Sequence, residues 1–318
     1  MSVRPRKYET NLYIWEQVQP IGVMSGSLAT TRNLTLPDGI EIFYREAGFP
    51  SKPTVLLLHG FPTSSHMFRN LAPLLSETYH GIAPDLPGFG FTRVPESLNY
   101  SYMFANLTKT MIAFLMALGI HKYAVYAFDY GAPIAFRIGL EQPKAITAII
   151  SQNGNAYLDG IGAFWDPIKA LWANDNAETR GALTSAVLTH FSTTKFQYEH
   201  GVSEPKLLAQ IPPETYYLDQ ALLERPGQID IQLSLLKDYE NNFKLYPKFQ
   251  EYFRTSRVPV LAIWGANDVL FLKAGAEAYA RDVQDLKLIL LDTGHFAPET
   301  HAKEIADEMV EFLKKRNL

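Results

Sequence analysis

Short apolar runs alternate with segments of helical spacing along most of the chain, and the first clear run, residues 53–58, stops at His59-Gly60. A run of that length bounded by Gly or Pro reads as a buried strand, whereas apolar positions recurring every three or four residues read as a helix face. By this pattern strands are expected at 53–58, 81–84, 123–128, 146–151, 258–264 and 286–291, and helices at 105–118, 132–140 and 301–315. Such alternation predicts an α/β fold built on a mostly parallel central sheet flanked by helices. The strand runs lapse between 157 and 246, where Leu, Tyr and Pro recur at helical spacing and Pro212-Pro213 and Pro226-Gly227 break the segment into short pieces. That stretch predicts an inserted helical cap domain. The expected organisation is an N-terminal extension at 1–30, a core in two parts at 31–156 and 247–318, and the cap at 157–246.

Composition removes several classes of function. The 318 residues are 47% hydrophobic, enough for a large core, and the formal net charge of −4 offers no attraction to phosphate backbones, so nucleic acid is not an expected partner. Without cysteine the chain has neither a disulfide framework nor thiol chemistry, which suits a reducing compartment. The basic N-terminus has no apolar segment of the secretory kind behind it, and the apolar stretch 111–120 is too short to span a bilayer. A cytoplasmic protein with no membrane span is expected. The histidines show no metal-ligand clustering and Gly88-Phe89-Gly90 lacks the third glycine of a dinucleotide loop, so neither metal nor cofactor is expected.

Candidate chemistry concentrates at Val125-Tyr126-Ala127-Phe128-Asp129-Tyr130-Gly131-Ala132. Small residues at 127 and 131 around a central acid, at a strand-to-helix junction, predict a tight elbow that thrusts Asp129 into a pocket. Where such an elbow carries serine, a histidine must deprotonate it; a carboxylate is already ionised at neutral pH and attacks carbon directly. The product is an alkyl ester of the protein. Expectation therefore moves from esters and amides to electrophilic sp³ carbons bearing a leaving oxygen or halogen.

Four more motifs flank the elbow: His59-Gly60-Phe61-Pro62 and Asp85-Leu86-Pro87-Gly88-Phe89-Gly90 before it, Trp264-Gly265-Ala266-Asn267-Asp268 and Asp292-Thr293-Gly294-His295-Phe296 after it. Together they resemble the α/β-hydrolase fold family in its epoxide hydrolase and haloalkane dehalogenase branch, over nearly all of the chain beyond the first thirty residues. The resemblance implies an α/β-hydrolase fold with a cap and a triad of Asp129, His295 and Asp268. In it the histidine activates water against the Asp129 ester, while Asp268 orients the imidazole and stabilises its charged form. A lone His after a strand, or a lone Asp in a turn, would be an ordinary structural residue; the company of the other motifs favours the catalytic reading. Asp292 is too near His295 in sequence to orient it. Gln152-Asn153-Gly154-Asn155, where some relatives carry the acid, offers no carboxylate. The backbone N–H groups of Phe61 and Tyr130 are implied as the oxyanion hole, and His59 as a support of its loop.

The leaving group separates the two activities of that branch. An epoxide oxygen leaves as an alkoxide and needs O–H donors, which the family commonly supplies from two cap tyrosines; a halide needs N–H donors, commonly from Trp or Asn. Tyr130 and Phe61 stand where halide-binding residues are common. Lys237-Asp238-Tyr239-Glu240-Asn241-Asn242 resembles the segment carrying one ring-opening tyrosine, Tyr239. Phe196-Gln197-Tyr198-Glu199-His200-Gly201-Val202 resembles the other, with Tyr198 a residue or two off the family's spacing. Phe61, Phe128, Tyr130, Trp165, Phe271 and Phe296 are expected to wall a pocket for a small apolar substrate. The expected function is an epoxide hydrolase yielding a vicinal diol. A haloalkane dehalogenase with the same triad, and a non-catalytic ligand receptor or interaction module on this scaffold, are the alternatives.

Overall fold

The computed structural model describes residues 28–318, so the extension expected at 1–30 lies almost wholly outside the described residues. Eight strands, β1 (Thr30–Thr35), β2 (Glu41–Ala47), β3 (Thr54–Leu58), β4 (His80–Pro84), β5 (Tyr123–Phe128), β6 (Ile146–Gln152), β7 (Val260–Gly265) and β8 (Leu286–Leu291), share one sheet. Their order across it is β1-β2-β4-β3-β5-β6-β7-β8. Pairing is antiparallel from β1 to β2 and from β2 to β4, and parallel everywhere else. The apolar runs of the sequence are the parallel strands, which need apolar residues on both faces because helices cover both. The pattern missed β1 and β2. β1 is polar and exposed, and β2 buries only Ile42, Tyr44 and Ala47 in an alternating strand whose other face is partly solvated.

Side chains alternate across a strand, so the central strands feed two cores. Leu56, Leu58, Val125 and Ala127 pack on the side of helices Phe104–Ala117 and Gly131–Glu141. Val55, Leu57, Tyr126 and Phe128 pack on the side of helix Ala297–Lys314. Between β6 and β7 the chain adds no strand to the sheet and runs through a series of helices that includes Phe191–Glu199, Pro213–Leu223, Gln228–Asp238 and Glu240–Ser256. Residue 246 lies within the last of these, a continuous helix whose Phe249 and Phe253 pack on Phe136 of the core. No helix among the described residues is long and apolar enough to cross a membrane.

The C-terminal ends of the parallel strands gather the chemically distinctive residues at one edge of the sheet. His59-Gly60-Phe61 follows β3, Asp129 follows β5, Asn153 follows β6, and Asp268 and His295 follow β7 and β8. This is the edge at which open parallel sheets bind ligands.

Candidate active site

Asp129 leaves β5 at φ +46°, a left-handed conformation that costs a non-glycine residue about 1–3 kcal/mol. Bare neighbours make the turn possible. A Cβ on Gly131 would stand 2.5 Å from the Leu58 carbonyl oxygen, and one on Gly60 would overlap the Asp129 carboxylate. The carboxylate receives the Phe61 N–H at 2.6 Å on Oδ1, and the Tyr130 N–H also reaches it. Burial pushes the Asp129 carboxyl up to about 6, against the opposing pull of His295 and those two N–H groups.

His295 stands over this acid with Nε2 3.9 Å from Asp129 Oδ2, and Nε2 makes no hydrogen bond within the protein. Its Nδ1 lies 2.8 Å from Asp268 Oδ2. Burial alone would lower the imidazole's affinity for a proton; the charge and hydrogen bond of Asp268, with Asp129 beyond, outweigh it and leave the pKa raised. Asp268 is itself fixed from two more directions, by the Leu270 N–H at 2.7 Å on Oδ1 and by Asn153 Nδ2–H at 2.6 Å on Oδ2. Asn153 holds a left-handed turn at φ +48° and accepts the Gly265 N–H at 2.9 Å, while Gln152 donates to the His295 carbonyl at 3.0 Å. The strand end that lacks a carboxylate thus supplies two carboxamides that orient the acid and the histidine loop. Position after β6 is the signal the sequence carries for Asn153, although no carboxylate stands there.

The loop that presents the Phe61 N–H is pinned from behind. His59 Nε2 accepts the Leu86 N–H at 2.9 Å, which leaves Nδ1–H to face the Gly60 carbonyl at 3.0 Å. Asp85 accepts the Ser65 and Phe91 N–H groups at 2.7 and 2.8 Å.

A cleft opens above Asp129, and Phe61, Tyr130, Trp165 and Phe271 line it as expected. Ile168, Val187 and Leu236 of the helical segment complete the apolar wall, and Gln197 joins them. Phe128 and Phe296 are elsewhere. Strand alternation turns Phe128 to the opposite face of the sheet, where it packs 5.2 Å from Phe296 and 4.6 Å from the His295 ring, so the two support the imidazole from behind. The indole N–H groups of Trp165, Trp172 and Trp264 all donate to backbone carbonyls, those of Leu270, Leu236 and Phe271, at 2.7–2.9 Å. None of these three is free for a ligand.

The two expected tyrosines have different surroundings. The Tyr239 ring sits against three residues of the cleft wall, 4.7 Å from Trp165, 5.5 Å from Tyr130 and 6.5 Å from Phe271. Its hydroxyl closes no hydrogen bond, although the Tyr246 hydroxyl and the Asp129 charge are near enough to act on it; with burial first, they raise its pKa well above the usual phenol value. Tyr198 faces away from the cleft. Its ring stacks on Phe296 at 3.9 Å, and its hydroxyl donates to Asp219 with Thr63 Oγ1 3.4 Å away. Burial pushes that Asp219 carboxyl up to about 7. Successive residues of a helix point about 100° apart, so the turn that carries Tyr198 away carries Gln197 into the cleft.

A family model described as alpha/beta hydrolase fold matches residues 53–302. The chain is 48% identical over 291 residues to an uncharacterized hydrolase of Saccharomyces cerevisiae, covering 90% of this chain and 98% of the relative. It is 38% identical over 111 residues to a haloalkane dehalogenase of Bradyrhizobium diazoefficiens, 35% of each chain. It is 23% identical over 304 residues to epoxide hydrolase 3 of Mus musculus, 87% of this chain and 74% of that one.

Two outcomes follow from the geometry. Gly60→Ala should destabilise the fold by about 1–3 kcal/mol in denaturant unfolding, as overpacking does, because the new methyl group and the Asp129 carboxylate compete for one space. The Asp129 carboxyl should titrate at about 6 by carbon NMR, and His295→Gln should move the midpoint upward, since a neighbour that favours the anion is gone. An unchanged or lower midpoint would mean that the imidazole does not act on the carboxylate.

Proposed function

The chain belongs to the α/β hydrolase fold family, and within it we propose that it is an epoxide hydrolase that opens apolar epoxides to vicinal diols through an ester on Asp129. The reading is carried by one observation: a carboxylate, where a hydroxyl would suit acyl transfer, is held by two backbone N–H groups beneath an apolar cleft and beside an unbonded imidazole nitrogen. The Trp165 indole on the cleft wall gives its N–H to the Leu270 carbonyl and has none for a halide, while the Tyr239 hydroxyl, packed against that wall, has no partner in the protein, which supports an oxygen as the leaving group. In this reading the segment between β6 and β7 acts as the cap, bringing Trp165 and Leu236 to the cleft above the acid and packing Tyr239 behind Trp165.

The steps balance on these residues. An Asp129 oxygen forms a bond to the ring carbon, the ring C–O bond breaks, and its electron pair stays on the oxygen, which takes a proton from the Tyr239 phenol. His295 Nε2 then removes a proton from water as the hydroxide adds to the ester carbonyl, and the Phe61 and Tyr130 N–H groups hold the oxyanion. Collapse expels the alkoxide, which takes its proton from the imidazolium that Asp268 stabilises. The proton left on the regenerated Asp129 acid restores the phenol. Tyr198, whose hydroxyl Asp219 engages, has no part in these steps.

His295→Gln should form the ester and fail to hydrolyse it, so intact-mass measurement after adding an epoxide should show a lasting adduct on Asp129. A single turnover in heavy-oxygen water should label the Asp129 carboxylate of the parent; label in the diol alone would indicate direct attack by water and end the mechanism. Tyr239→Phe should slow alkylation by epoxides about 100-fold, the scale of positioned acid catalysis. Brisk halide release from haloalkanes without epoxide turnover would transfer the assignment to a dehalogenase.

A further inference from the structure

Gln197 brings a carboxamide to a wall that is otherwise, Asp129 apart, aromatic and aliphatic. The side chain is only 1% exposed, and neither Nε2 nor Oε1 has a hydrogen-bond partner in the protein. A buried amide left in that state is costly, and folds ordinarily avoid it. The same helix pairs its other buried polar groups with helix Pro213–Leu223: the Thr194 hydroxyl donates to Gln220 Oε1 at 2.7 Å and Tyr198 donates to Asp219. Only the group turned towards Asp129 is left without a protein partner. The Tyr130 hydroxyl is also unpaired, but its ring stands among Phe61, Phe89 and Phe104.

We infer that the Gln197 carboxamide is the second leaving-group contact of the site, its Nε2–H donating to the oxygen of a bound epoxide and to the alkoxide that forms as the ring opens. The inference rests on the epoxide hydrolase reading and deepens it. A neutral amide has no proton to give, so Gln197 stabilises the electron pair released onto the oxygen while Tyr239 supplies the proton. Division of these tasks also defines the substrate class. With a single carboxamide on the wall, the cleft suits an alkyl or aryl epoxide whose ring oxygen is its one polar atom, and it penalises a substrate that brings a second polar group near the ring.

The test uses His295→Gln, in which the ester accumulates, and compares it with the His295→Gln/Gln197→Met double variant on styrene oxide. Methionine matches glutamine in size and removes both hydrogen-bonding atoms. The rate of adduct formation at saturating epoxide should fall about 10- to 100-fold, the range for a hydrogen bond to a developing charge. The melting temperature should hold or rise, because an unpaired amide has been removed; a merely structural glutamine would lower it instead and leave the saturating rate alone. An undiminished rate overturns the role of Gln197 while leaving the Asp129 ester standing. Absence of any adduct in His295→Gln itself overturns the epoxide reading first. Should the methionine variant fail to fold, Gln197→Leu in the same background serves: it too removes both hydrogen-bonding atoms and should slow alkylation, and a parental rate would again refute the contact.

Discussion

Asp129 combines a left-handed backbone with a charge kept out of water, and each is unfavourable unless its surroundings compensate. Compensation for the backbone comes from glycines at 60 and 131, which let β3 and the following helix close in where any side chain would collide. The charge is met by main-chain N–H groups from two different loops, so the loop after β3 has to be held as firmly as the elbow. This explains why His59 and Asp85, which do not line the cleft, are fully engaged in tying turns together. A sheet with all these loops at one edge makes such convergence possible.

Much of this was readable from the chain. Strands buried on both faces announce themselves as apolar runs, and β5 has the limits that its run predicts; β8, partly exposed at the sheet edge, is almost as apolar and its limits are as legible. β1 does not announce itself, because an edge strand facing solvent needs no apolar residues and takes its conformation from its partner, and β2 does not because only Ile42, Tyr44 and Ala47 of it are buried. Residue 246 looked like a boundary in composition, yet Pro247 is accommodated within a continuous helix. At the site, the acid, histidine and main-chain donors could be named from motifs. Asn153 is marked only by its position after β6, and Gln197 by nothing, since an amide has no diagnostic spacing and its importance shows only when its partners, or their absence, are seen.

The cleft also shows how polarity is rationed. The Trp165 indole, which could have offered an N–H donor there, hands it to the Leu270 carbonyl, which leaves its ring as apolar bulk. Phe128 and Phe296, on the far side of the sheet, brace the imidazole rather than the ligand. The polar groups left open towards the cleft are few, and each therefore has a large effect on what can be bound there.

Helix Phe191–Glu199 places an amide and a phenol at adjacent positions, one inward and one bonded to Asp219. Because neighbouring helical residues differ by about 100° in direction, which of the two enters the cleft is decided by the helix's rotation rather than by its composition. The Asp219 carboxylate, taking the Tyr198 hydroxyl, works as a rotational stop. Loss or gain of one residue within the helix ahead of these positions would turn it past that stop, and a phenol would then replace an amide at the cleft without any substitution.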